Sequence, residues 1–268
     1  GLPLPLGISF YTFQAMGYLI DVYWEKTTPQ TNPARFLLFV TFFPQIVQGP
    51  IGIYNDLAEQ LYRGNELKYE NIKYGFQLIL WGLFKKMVIA DRLLIPLRNL
   101  LPVKNELSNA YNLFLLMIYC AQLYMDFSGG IDIVRGAAQM LGIDMAVNFK
   151  RPFFSDSLAG FWQRWHISLC SWLKNYLFYP MAVSRVFLRF GNWIYTKSQA
   201  EKELPEDSVF GGYTFLQHAG RMFPGCIATL ITFLIIGFWH GASWKDAGYG
   251  IFNGVLISLA GFLEPFFR

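Results

Sequence analysis

Between Arg221 and Lys245 the chain carries no Asp, Glu, Lys or Arg, and the apolar run within that interval ends on Phe238-Trp239-His240. As a helix rising about 1.5 Å per residue, residues 222–240 come close to spanning the roughly 30 Å hydrocarbon layer of a bilayer. No water is available there for backbone N–H and C=O groups. The stretch must therefore be helical, and any polar side chain on it needs a protein partner. The rest of the chain agrees. Only 15% of residues are charged, while 54% are hydrophobic and 18% aromatic; soluble domains carry about 25% charge. The chain reads as an integral membrane protein.

Further apolar stretches cover residues 6–24, 36–54, 74–96, 111–127 and 247–263. At roughly 20 residues per span the length allows about five to seven embedded helices. Pro44 and Gly49-Pro50 break the second stretch and predict a kinked or re-entrant helix, buried in protein or lining a cavity. Residues 55–72 are polar and read as a membrane-surface segment. Lys85 and Lys86 interrupt the third stretch, and Lys85 shares a helix face with Arg92. That pattern reads as a snorkelling interfacial helix, with a ligand site as the other reading.

Gly129-Gly130 predicts the end of the 111–127 helix. Asp126, Ser128 and Asp132 are then terminating and capping groups rather than cation ligands, and Asp132 and Arg135 stand one turn apart on the next helix. Residues 158–182 are aromatic but carry Gln163, Arg164, His166 and Lys174, too polar for a lipid-facing span. Residues 185–221 mix both charges and read as an extramembrane loop with His218 on its surface. The chain opens on Gly1-Leu2-Pro3-Leu4-Pro5 without an initiator Met, and reads as a segment of a longer protein.

Several chemistries are not indicated. The net charge of +4 is spread along the chain with no basic tract, which argues against nucleic acid and assigns basic residues to cytoplasmic loops and lipid headgroups. Cys120, Cys170 and Cys226 are far apart in apolar surroundings and read as small buried residues. The sequence has no phosphate-binding glycine loop, no HExxH or paired Cys/His spacing and no GxSxG elbow. ATP hydrolysis, a metal site and a serine hydrolase are therefore not expected.

Two of the three histidines remain. His166 closes Phe161-Trp162-Gln163-Arg164-Trp165-His166, and His240 closes the run above. An ionisable group at membrane depth is a functional-site candidate, although the ordinary role of a lone histidine is hydrogen-bonded packing. As a general base, such an imidazole takes the proton of a hydroxyl while its oxygen attacks a thioester, and a Trp/Phe shell keeps water from the donor. A polytopic transporter or channel with a histidine proton relay is the alternative.

The motif blocks run almost end to end. They begin with residues 6–14, Phe42-Phe43-Pro44-Gln45, Gln48-Gly49-Pro50 and residues 82–92. Asp126-Phe127-Ser128-Gly129 and residues 148–153 follow, then residues 161–169 and Trp239-His240-Gly241-Ala242-Ser243-Trp244. In this order they resemble the membrane-bound O-acyltransferase (MBOAT) family, in its bacterial branch of alginate O-acetyltransferases and teichoic-acid D-alanyl transfer proteins. The resemblance implies an all-α polytopic membrane domain over residues 1–268, with kinked and re-entrant helices around a central tunnel.

It also implies His240 as catalytic histidine and His166 as its helper. Trp162, Arg164, Trp165 and Trp239 would shape the tunnel, with no bound cofactor and no metal. The donor would be a cytoplasmic acyl thioester, acetyl-CoA or an acyl carrier protein. The acceptor would be a hydroxyl of an envelope polysaccharide or teichoic-acid-like polymer, or a periplasmic acyl-handling protein, in a bacterial plasma membrane whose lipids surround the domain. Lys174-Asn175-Tyr176 departs from the family's usual Arg-Asp-Tyr, and Gln163 replaces a frequent arginine. Asn175 can hydrogen-bond but holds no negative charge.

Overall fold

Asn32 shows how locally this fold is written: its carboxamide oxygen accepts from the N–H groups of Ala34 and Arg35 at 2.9 and 3.4 Å, while Pro33 supplies a first helical residue with no N–H to satisfy. The computed structural model describes residues 7–46, 48–197 and 212–266. The start of the first apolar stretch and the acidic part of the 185–221 region lie outside the described residues. Among the described residues, all regular structure is helical. They form two compact units, one from residues up to Lys150 with Arg164–Leu169, the other from Arg151–Gln163 and the chain from Cys170 onward.

The first unit opens with α1 (Ile8–Tyr23), α2 (Pro33–Val40), α3 (Phe43–Ile46) and α4 (Tyr54–Tyr62). The stretch 36–54 is thus divided among α2, α3 and an irregular connection before α4, at the proline and glycine positions that mark it in the sequence. Tyr18, Phe39, Phe42, Tyr54 and Leu57 are buried together with Ala138 and Ile143. The Tyr18 and Tyr54 rings lie 4.7 Å apart, and both hydroxyls accept hydrogen bonds from Gln30. Burial, and then the neighbouring Tyr54, raise the pKa of Tyr62, whose ring packs 6.4 Å from that of Tyr54.

Then come α5 (Tyr69–Leu83), a π-helical segment Phe84–Ala90, α6 (Asp91–Leu100) and the long α7 (Asn109–Met140). A Cβ on Gly82 would lie 2.6 Å from the Gly129 carbonyl oxygen, and one on Gly75 2.6 Å from that of Gly136. The two helices therefore touch backbone to backbone and run antiparallel, a contact that only glycine permits. Gly129-Gly130 does not end the helix as the sequence predicts. α7 continues to Met140, because Gly129 serves a close approach between helices rather than a turn.

The same contact corrects the reading of Lys85. Its ammonium is buried, 2.5 Å from Asp132 and 3.1 Å from the Ser128 hydroxyl, instead of snorkelling to an interface. Lys86 binds Asp126 at 2.7 Å and Asp91 at 2.9 Å, and Arg135 stands 3.9 Å from Asp132 on the same helix. Asp126, Ser128 and Asp132 are thus mid-helix partners of lysines, not caps.

The second unit contains α8 (Leu158–Trp162), the end of α9 (Ile167–Leu173), a π-helical turn Lys174–Phe178, α10 (Tyr179–Ala182), α11 (Arg185–Lys197), α12 (Phe215–His240) and α13 (Trp244–Leu263). α11 is a helix where the sequence reads as a loop. Phe187, Gly191 and Ile194 recur at helical spacing, a pattern masked by the acidic residues that follow. Gly191 meets Gly220 of α12, a Cβ there falling 2.6 Å from its carbonyl oxygen. α12 starts at a reciprocal cap between Thr214 and Gln217. His218 is no plain surface residue, since its Nε2 lies 3.0 Å from the Phe262 carbonyl. Three described helices, Asn109–Met140, Phe215–His240 and Trp244–Phe266, are long and apolar enough to cross a membrane, fewer than the chain length alone allows.

Replacing Lys85 by Met leaves the half-buried Asp132 carboxylate with Arg135, 3.9 Å away, as its remaining counter-charge. The expected loss is on the order of 3 kcal/mol. The double variant Lys85→Met/Asp132→Leu should regain most of it, as read by unfolding in detergent.

Candidate functional site

His166 lies between α8 and α9 with a left-handed backbone, φ +44°. For a residue with a Cβ this costs about 1–2 kcal/mol and persists only where neighbours fix it. Here they do. The Lys150 N–H donates to the Arg164 carbonyl at 2.9 Å and the Ile167 N–H to the Asn148 carbonyl at 3.0 Å, so residues 148–150 and 164–167 form a short stem around the turn. The imidazole is 2% exposed. The Phe127 ring stands edge-on to it at 4.8 Å. Trp165 packs on Phe149 at 5.0 Å and near Tyr124 at 6.1 Å.

Polar groups form the other wall of this turn. His166 Nδ1 is 3.4 Å from Asn148 Oδ1, which also accepts from the Ser168 N–H at 2.9 Å. The Ser168 hydroxyl accepts from the Ile51 N–H at 3.0 Å. Nearby in the sequence order of α1 and α3, buried Gln14 donates to Gln45. Asn148 and Ser168 lie inside quoted motif blocks, yet sequence alone gives them no role. A short polar residue among aromatics is the only signal that marks them.

His240 is the last residue of α12 and is exposed, in the second unit. Its ring meets Trp239 at 4.8 Å in an edge-on arrangement. Gly241 follows with φ −178°, a conformation open to any residue, so glycine is needed here for space alone. A Cβ on Gly241 would sit 2.2 Å from Asp246 Oδ2. That oxygen takes the Ser243 hydroxyl at 2.6 Å, and Ser243 caps α13. α13 then returns antiparallel along α12, with a Cβ on Gly250 falling 2.3 Å from the Phe233 carbonyl oxygen. The sequence had marked His240 but not the Asp246 carboxylate in the first turn of α13.

The remaining site residues divide the same way. Trp162 is buried in the second unit, its indole N–H donating to Asn253 Oδ1 at 3.4 Å and its ring edge-on to Phe233 at 5.2 Å. Asn175 is exposed on the π-helical turn of that unit. Arg164, Trp165 and His166 belong to the first unit. The structure thus places Trp165 and His166 on the same Phe127 ring, and Trp239 against His240, while the two histidines belong to different units. Among the described residues no group of His, Cys, Asp and Glu is placed to hold a metal ion.

Three described helices are thus long and apolar enough to cross a membrane, and the His166 and His240 rings each stand edge-on to an aromatic ring. The chain belongs to the membrane-bound O-acyltransferase family, whose sequence model matches residues 25–192. That range includes Arg164, Trp165 and His166 and stops short of His240. The chain is similar to a probable alginate O-acetylase of Pseudomonas syringae pv. tomato, 35% identical over 89% of this chain and 42% of that protein. It is also similar to a peptidoglycan O-acetyltransferase of Helicobacter pylori, 32% identical over 96% of the chain and 47% of that protein. A teichoic acid D-alanyltransferase of Streptococcus thermophilus is 27% identical over 93% and 55%. The chain spans about half the length of the curated relatives it matches.

Gly241→Val and Ser243→Ala both disturb the Asp246 carboxylate at the start of α13. Loss of the cap is expected to cost about 1 kcal/mol. Because the two changes act on one carboxylate, the double variant should lose clearly less than the sum, measured as a double-mutant cycle of unfolding midpoints.

Proposed function

We propose that the full-length protein is a plasma-membrane, multi-pass O-acyltransferase of a bacterial envelope. It moves an acetyl group from a cytoplasmic thioester, acetyl-CoA or an acylated carrier protein, to a hydroxyl of a cell-envelope polymer. The observation that carries this reading is family membership across the block holding His166. Acetyl is preferred over D-alanyl because the O-acetylating relatives are the more similar ones, 35% and 32% against 27% identity. The acceptor is a polysaccharide, a teichoic-acid-like polymer or a periplasmic protein that hands the acyl group on.

In this reading His240 takes the proton of the acceptor hydroxyl as its oxygen attacks the thioester carbonyl. The new C–O bond forms, the C–S bond breaks, and the departing thiolate takes the proton back from the imidazolium. His166 orients the acceptor or faces the developing oxyanion. Kinked and re-entrant helices enclose a central tunnel in which Trp162, Trp165 and Trp239 exclude water and Arg164 contacts the donor. Asn175 contributes hydrogen bonds without charge. What supports the site is chemical: His240 sits against the Trp239 indole, and His166 is buried against the Phe127 ring in a turn that its neighbours hold.

The proton-relay transporter has no observation of its own in its favour. His240→Ala in the full-length protein should leave it folded and inserted, with transfer reduced by at least about 100-fold. Labelled acetyl-CoA and a labelled D-alanyl carrier, offered in parallel, report which acyl group moves. Full transfer by His240→Ala would remove His240 from the mechanism.

A further inference from the structure

We infer that Asp246 is a positioning residue for acyl transfer: its carboxylate stands beside His240 and stabilises the imidazolium that forms when His240 takes the acceptor proton. This rests on the acyl-transfer reading above and supplies the charge partner of its general base.

Asp246 meets the end of α12 at two glycines that flank His240. A Cβ on Gly237 would collide with the Asp246 carbonyl oxygen, and one on Gly241 with Asp246 Oδ2. The first turn of α13 therefore closes on α12 both one turn before the histidine and one residue after it. The second contact also bounds a distance. Oδ2 lies 2.2 Å from the place a Gly241 Cβ would take. With a carbon–carbon bond of about 1.5 Å and neighbouring Cα atoms about 3.8 Å apart, Oδ2 is at most about 7.5 Å from the His240 Cα. The carboxylate charge acts on the imidazole. His240 is exposed and Asp246 half-buried, so the pair is open to an incoming hydroxyl.

The carboxylate is held in place. Oδ2 takes the Ser243 hydroxyl at 2.6 Å, and the Asp246 N–H donates to the Ser243 carbonyl at 3.1 Å. Oδ1 has no hydrogen-bond partner among the described residues and lies 3.3 Å from the same Gly241 Cβ position. Other charges are few. Between Arg221 and Glu264 the chain has only Lys245 and Asp246, and Lys245 is exposed. The cations of α11 belong to a helix that meets α12 at Gly220, twenty residues before His240. Lys174, on the turn that packs on α12, lies over the Tyr179 ring at 5.4 Å. A cation forming at the end of an apolar helix thus has one carboxylate to meet it, and the C-terminal end of α12 acts in the same sense. Asp246 keeps its own charge throughout; the proton passes from acceptor to His240 to the leaving thiolate.

The test measures transfer by the full-length protein across pH. Asp246→Asn keeps an acceptor for the Ser243 hydroxyl and removes the charge. Its unfolding midpoint in detergent should stay near that of the wild type, and kcat should fall about 10-fold. The acid limb of kcat/KM should move to lower pH by about half a unit or more, because an imidazolium without the carboxylate gives up its proton at lower pH. Ser243→Ala weakens the cap and keeps the charge; it should lower the midpoint and leave the limb in place. Gly241→Ala pushes the carboxylate aside with every ionisable group kept, and should move the limb as Asp246→Asn does. A wild-type limb in Asp246→Asn overturns the inference, as does a wild-type limb in Gly241→Ala where Asp246→Asn does not fold. A limb that moves as far in Ser243→Ala as in Asp246→Asn also overturns it, since loss of the cap then explains the shift. Full transfer by His240→Ala is a different failure, that of the role given to His240 itself.

Discussion

The backbone-to-backbone contact of α5 with α7 sets the register on which the first unit depends. Apolar side chains give two helices little reason to associate in lipid, because the lipid is as apolar as they are. Gly75 and Gly82 against Gly136 and Gly129 replace that missing drive with close packing. The register then decides which charges meet. It brings Lys85 to Ser128 and Asp132, and Lys86 to Asp126. Without the close approach the buried Lys85 ammonium would lose both Ser128 and Asp132, while Lys86 would keep only Asp91 on its own segment.

Several of the polar groups buried in each unit reach a partner far away in sequence. Gln14 meets Gln45, Lys85 meets Asp132, Ser168 meets the backbone at Ile51 and Trp162 meets Asn253. Such links restrict the fold to one arrangement, since an alternative packing strands several of them at once. His166 lies at the end of one of these links, which is why its ring direction is defined although its own backbone is strained.

Class and periodicity were readable without coordinates. The apolar run ending at His240 is a helix of membrane-crossing length, and Pro44 with Gly49-Pro50 does divide the second stretch. What failed was residue meaning that depends on a neighbour absent from the local sequence. Glycine pairs signal either a stop or a close approach, and only the facing helix tells which. Lysine in an apolar stretch signals either snorkelling or a buried ion pair, and the deciding carboxylate at position 132 is 47 residues away. The histidines were legible through their aromatic neighbours and motif blocks. Asn148 was not, because the Ser168 N–H that its side-chain oxygen holds is 20 residues away.

The stem that joins residues 148–150 to 164–167 closes a loop whose middle, Arg151–Gln163, packs in the other unit. The entropy of closing a loop rises only with the logarithm of its length, so adding half as many residues again costs about 0.4 kcal/mol. The stem, not the loop, fixes the His166 turn. Loop length is therefore nearly independent of the histidine's geometry. A chain built this way can lengthen or reshape the segment that carries Trp162 while the imidazole four residues further on stays where it is.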